Sequence, residues 1–204
     1  MVAIRLSLAA IMSLSIWSAA SAEQAEHLAA AITKLAETPV TNYTVVFDHP
    51  EAALSERRPI GSALSLVADF LAEREFPSPK SLPRVEFVSP AQIAAVRYRG
   101  VSSEPELLSF SKANALDMTY DDAQGVIYLS ELWTGGSPAE LSMLVRGLVY
   151  DGQREAGLTY VCTQEREQVA VGAQEAWLKL FGQTVKETFS IDEAAYMLIT
   201  QCLP

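Results

Sequence analysis

The chain has 204 residues, 25 of them Asp or Glu and 15 Lys or Arg, for a formal net charge of −10. So acidic a surface repels phosphate, which argues against nucleic acid and anionic membrane as partners, and no Lys/Arg run opposes that reading. Half of the residues (50%) are hydrophobic, enough for a single core.

The first residues, MVAIRLSLAAIMSLSIWSAASA, have the pattern of a signal peptide. Arg5 supplies the positive start, Leu6 to Trp17 the apolar core, and Ala20-Ser21-Ala22 a small-residue cleavage site. Cleavage after residue 22 leaves residues 23–204 as one domain of 182 residues, with 25 acids against 14 bases. The apolar run is too short for a comfortable membrane span, and no other stretch is long enough. The expected location is therefore periplasmic or secreted, in a bacterium. In that compartment the two cysteines, Cys162 and Cys202, are expected to pair. Their spacing, with no CxxC and no histidine nearby, does not suggest a redox or metal pair.

Glu23 to Thr38 reads as a helix, with Leu28, Ile32 and Leu35 on one stripe and Pro39 stopping it. Tyr43 to Phe47 reads as a short strand, followed by a loop to Pro59. Gly61 to Phe76 predicts a second helix with Leu64, Val67, Phe70 and Leu71 inward. Pro77 to Pro83 holds three prolines in seven residues, a rigid connector. Arg84 to Val88 alternates as a strand does, and Ser89 precedes a short helix from Pro90 to Val96. Arg97 to Ala115 is polar and loop-like. Leu116 to Tyr120 and Val126 to Leu129 predict two strands joined by a turn rich in Asp and Gly. Asp121 and Asp122 are read as turn chemistry rather than a calcium site.

Ser137 to Gly182 predicts two longer helices with a connection holding Cys162. Ser137, Pro138 and Glu140 are N-terminal signals. Leu141, Leu144, Val145 and Leu148 then form one stripe, with Arg146, Tyr150 and Gln153 opposite. On the second helix Ala170, Ala173 and Trp177 make one stripe and Glu167, Val171, Gln174 and Leu178 another, so Glu167 is expected to be a buried acid that needs a partner. Ile191 to Gln201 predicts a last helix capped by Ser190. Helices with few strands, a hairpin and then three helices suggest an α+β domain with a small mixed or antiparallel sheet.

The run LVRGLVYDGQ, then CTQERE, then Ala170, Gln174 and Trp177-Leu178 resembles a bacterial family of uncharacterised zincin-like domains, akin to metallopeptidases, over Asp121 to Cys202. The family pattern is LVHELVHxxQ, C, RExxA, QxxWL. Framework positions fit, including Gln153, Cys162, Arg166 and Gln174. The chemical residues do not: Arg146 and Tyr150 stand where the pattern has histidines, and Gly147 where it has the catalytic glutamate. Glu167 alone matches, at the position of the third metal ligand. In an HExxH helix two histidines bind zinc on one face and the glutamate activates water. Arginine has no lone pair to offer, and glycine is no base. The resemblance thus implies zinc in the family and no zinc or other cofactor here.

Two readings of Arg146, Tyr150 and Glu167 follow. In one, Arg146 pairs with Glu167 and fills the vacated metal position. In the other, Arg146 binds a carboxylate or a peptide end. Gly147 either permits close packing or marks relaxed selection. His27 and His49 are too far apart to be read as a metal site. No serine has a histidine placed for a triad. The expectation is a non-catalytic binding or structural module, with a peptide or protein partner along the Val126 to Leu129 edge. The alternative is a residual metal-dependent hydrolase using Glu167 and Tyr150.

Overall fold

The computed structural model describes residues 22–33, 59–98 and 117–202. The expected signal peptide up to residue 21, the strand at Tyr43 to Phe47, His49 and residues 99–116 lie outside them. Among the described residues seven helices surround a three-stranded mixed sheet, an α+β arrangement. Helix α1 covers 22–33 and buries Leu28 and Ile32, while His27 faces solvent.

Helix α2, Ile60–Glu73, buries Ala63, Leu64, Val67, Phe70 and Leu71. It ends three residues earlier than the apolar pattern suggests. Glu75 takes a left-handed conformation (φ 58°), and the Phe76 amide turns back to the Leu71 carbonyl at 3.0 Å. This is a Schellman closure, and it folds Phe76 onto the core.

Strand β1, Arg84–Val88, has the predicted bounds. Ser89 and Gln92 then form a reciprocal capping box that starts α3, Pro90–Arg97. Strands β2, Met118–Asp121, and β3, Val126–Ser130, form the hairpin. Asp121 accepts the Ala123 amide at 3.0 Å, and Gly125 (φ 64°) completes the turn. The sheet order is β1-β3-β2, with β1 parallel and β2 antiparallel to β3. The expectation of an edge at Val126 to Leu129 is therefore corrected. That strand is central and paired on both sides, because β1, 42 residues upstream in the register Arg84 to Val126, takes its far edge, a long-range pairing that local pattern does not encode.

β3 is buried along its whole length. Ile127 and Leu129 face the main core, and Val126 and Tyr128 face a smaller one with Val88 and Ile93 of β1 and α3. Against the main face lies α4, Pro138–Glu155. Ser137 accepts the Glu140 amide at 3.2 Å, and the Glu140 carboxylate gathers the amides of Thr134 and Gly136. Helix α4 approaches the sheet closely at Gly147, where an added Cβ would lie 2.8 Å from Ile127 Cδ1. This is the close approach that the packing reading of the glycine expects.

Helix α5, Thr163–Lys179, crosses α4 and buries Trp177 edge-to-face on Phe70, with ring centroids 5.1 Å apart. The C-terminal part differs from expectation. A short helix, α6, covers Val185–Thr188, and α7 covers Glu193–Thr200. Ser190 is not the cap of α7. It adopts φ 53° to close α6, and Asp192 caps α7 by accepting the Ala195 amide at 2.8 Å. Cys162, at the start of α5, is bonded to Cys202, just past α7, with Cα atoms 6.0 Å apart.

Two outcomes are expected. Replacing Cys162 and Cys202 by serine should cost up to about 4 kcal/mol by loop entropy, read as a lower urea midpoint. Gly147→Ala should destabilise by about 1–3 kcal/mol despite alanine's better helix propensity, because overpacking against β3 outweighs it. Adding Ile127→Val, which removes the nearest methyl, should recover part of that loss in the same denaturation assay.

Candidate functional site

Because α4 commits its Gly147 side to the sheet, Met143, Arg146 and Tyr150 come round to face α5. Glu167, Val171 and Gln174 of α5, spaced at four and three residues, form the opposing stripe. Between them opens a cavity of about 550 Å³. Its other walls include β2, an edge strand of the sheet among the described residues, and the C-terminal residues Val185 to Ile199.

The structure brings Arg146, Tyr150 and Glu167 together. Arg146 Nη2 is 2.6 Å from Glu167 Oε2, Arg146 Nε donates to the Tyr150 hydroxyl at 2.8 Å, and that hydroxyl donates to Glu167 Oε2 at 2.5 Å. Burial pushes the Tyr150 phenol up, and the Glu167 carboxylate adds to the rise against the opposing pull of Arg146, so the hydroxyl stays protonated and available as the donor. Burial works against the Arg146 charge, but its contacts with Tyr150 and Glu167 prevail and hold the guanidinium above its ordinary value. Glu167 is not the fully buried acid expected from its stripe: its side chain keeps 24% exposure and that of Arg146 29%, since both open onto the cavity.

The supporting positions have defined places. Arg166 forms a two-pronged pair with Asp122 of the hairpin turn at 2.6 and 2.7 Å, and its guanidinium lies 5.0 Å above the Tyr150 ring. Gln153 joins α4 to α5 by accepting from Arg166 Nε at 3.2 Å and donating to the Arg166 carbonyl at 3.3 Å. Gln174 is 1% exposed and donates to Ser142 at 3.0 Å. Gly147 points away from the cavity, toward Ile127. Cys162 and Cys202 tie α7, whose Tyr196 and Ile199 line the cavity, to the start of α5.

Sequence reasoning missed the contributions of Arg97, Asp117 and β2. Arg97 pairs with Asp117 and donates to the Met118 carbonyl at 2.7 Å. Tyr120 stacks near Tyr150, centroids 6.0 Å apart, and donates to Asp151. These residues lie on separate segments, and no spacing in the chain links them. The Asp122–Arg166 pair had the one available signal, two unlike charges each flagged for other reasons.

The zinc that the resemblance implies for its family does not suit these residues. The position holds a guanidinium and a protonated phenol, and the one carboxylate is engaged by both. Among the described residues no three of His, Cys, Asp and Glu cluster as metal ligands do. A glutamate at 147 would need the Ile127 side chain to shift, because its Cβ would lie 2.8 Å from Ile127 Cδ1. What the arrangement offers is recognition by directed donors and acceptors over an apolar wall.

The Arg146–Glu167 pair is expected to couple by about 1 to 2 kcal/mol in a double-mutant cycle with Arg146→Met and Glu167→Gln, read from urea unfolding. Each single variant should cost more than the double variant relative to additivity, because it strands the other charge.

Residues 62–203 match a family described as a domain of unknown function, DUF6647. No curated protein and no solved structure matches the chain.

Proposed function

Since the chain belongs to the DUF6647 family, whose description assigns no activity, we propose from the site alone that it is an exported, non-catalytic binding module on a zincin-like scaffold. Its ligand is peptide-like and lies in the cavity between α4, α5 and the edge strand β2. The observation that carries the reading is the Arg146–Tyr150–Glu167 cluster on the wall of a 550 Å³ cavity. The cluster satisfies itself where a hydrolase would need metal ligands, yet leaves an open, partly apolar space beside it.

Charge narrows the ligand. The described lining holds Arg97, Arg146 and Arg166 against Asp117, Asp122 and Glu167, three of each sign. A free carboxylate gains little from an arginine whose charge is already met by Glu167, so an uncharged peptide segment suits the cavity better than a peptide end. Export is supported by the N-terminal pattern and by the Cys162–Cys202 bond, which suits an oxidising compartment.

The zincin-like part of the reading has a direct test. In a zincin-like arrangement, Arg146→His with Tyr150→His presents two imidazoles at i and i+4 beside Glu167. The double variant should bind close to one equivalent of zinc by elemental mass spectrometry, lost when Glu167→Ala is added, while the parent protein holds less than about a tenth of an equivalent. Stoichiometric zinc in the parent would overturn the non-catalytic reading. No zinc in the double variant would remove the zincin-like one.

A further inference from the structure

The Gln174 amide is oriented by its neighbours. Ser142 Oγ gives its proton to the Ala139 carbonyl at 2.6 Å, so toward Gln174 it acts as an acceptor, and Gln174 Nε2 donates to it at 3.0 Å. That leaves Gln174 Oε1 turned the other way. This oxygen is buried and has no hydrogen-bond partner, and the residue lines the cavity. An unmet buried acceptor costs about 1–3 kcal/mol, a cost that a ligand donor would relieve. Tyr160 and Gln183 also bury an unmet oxygen, but neither lines the cavity.

A second pair of open positions lies along the same wall. Arg146 Nε and Nη2 and Glu167 Oε2 are engaged with each other and with Tyr150, while Arg146 Nη1 and Glu167 Oε1 have no partner among the described residues. Glu167 and Gln174 are seven residues apart on one face of α5, about 10 Å along the axis. An extended peptide covers that span in about three residues. Between the two polar ends the wall is apolar, with Val171 and Met143 buried.

We propose, resting on the binding-module reading above, that Gln174 determines specificity by accepting a hydrogen bond from a backbone N–H of an uncharged, extended tripeptide segment. A carbonyl and an N–H two to three residues away meet Arg146 Nη1 and Glu167 Oε1, and an apolar side chain packs on Val171 and Met143.

The test titrates three synthetic peptides into the isotope-labelled full chain and follows amide shifts by NMR. They are acetyl-Ala-Leu-Ala-amide, the same peptide with its backbone nitrogens methylated, and the same peptide with a free C-terminal carboxylate. The first should shift the Gln174 side-chain amide and the amides of Met143 and Val171. Methylation should weaken it at least tenfold, and the free carboxylate should bring no gain. Gln174→Met should weaken the first peptide at least tenfold while the amide spectrum of the variant stays that of the folded parent, since methionine keeps the length of the side chain and removes the unmet oxygen together with the bond to Ser142. If Gln174→Met and methylation both leave the affinity of the first peptide unchanged, the role of Gln174 is overturned and the binding-module reading stands. If none of the peptides shifts the parent protein, both fall.

Discussion

The close seating of α4 on the central strand β3 governs the rest of the molecule. At Gly147 the helix is so near Ile127 that there is no space for a side chain. At Gly152 the connector passes equally close, and a Cβ would meet the backbone of Pro77 and Ser78. Held on the sheet side and under the connector, α4 cannot rotate. Its remaining face, with Met143, Arg146 and Tyr150, must then look toward α5. Pairing β1 and β2 to either side of β3 places β2, an edge strand among the described residues, next to that face. The cavity thus follows from one steric constraint and one strand order.

Polar contacts then join α4 to α5 at three levels along the crossing. Ser142 meets Gln174, Arg146 and Tyr150 meet Glu167, and Gln153 meets Arg166. Each lies at a helix spacing of three or four residues from the next on α4, so together they run along one face. The levels differ in completeness. The one at Gln153 is reciprocal, with both groups of the amide used. The middle one satisfies a guanidinium, a phenol and a carboxylate around a shared oxygen and keeps two atoms toward the cavity. The one at Gln174 is deepest and leaves an acceptor unmet. Polar satisfaction therefore declines along the wall from the hairpin end inward, which is the gradient a ligand with its own donors can complete.

Zinc of the kind the resemblance implies would find poor ligands at this site. A zinc ligand must present a lone pair, and a base must reach the bound water. Here an always-protonated guanidinium occupies the space beside Glu167, and the tight contact at Gly147 would have to open before any acid fitted there. The residues at 146, 147 and 150 fit one another: Arg146 and Tyr150 close around Glu167, and the glycine lets the helix settle onto the sheet. The disulfide then holds the C-terminal helix, one wall of the cavity, to the start of α5.

What the sequence by itself determined was local. Arg84–Val88, the Ser137 cap, the Asp-rich turn and the cores of α2, α4 and α5 were legible because alternation, helical spacing and capping chemistry act within a few residues. The proximity of Arg146, Tyr150 and Glu167 was an expectation from the resemblance, which sets all three at one metal position, and the contacts bear it out. Ser190 misled because a serine before acids looks like a cap, whereas the left-handed turn closing α6 uses it first and hands the capping to Asp192. Only the tertiary structure decided that β3 is central, that β2 forms the cavity edge, that Gly147 faces Ile127, and that Gln174 ends with an unmet oxygen. Those outcomes depend on contacts between segments tens of residues apart, which burial of the shared core selects and which no local pattern in the chain carries.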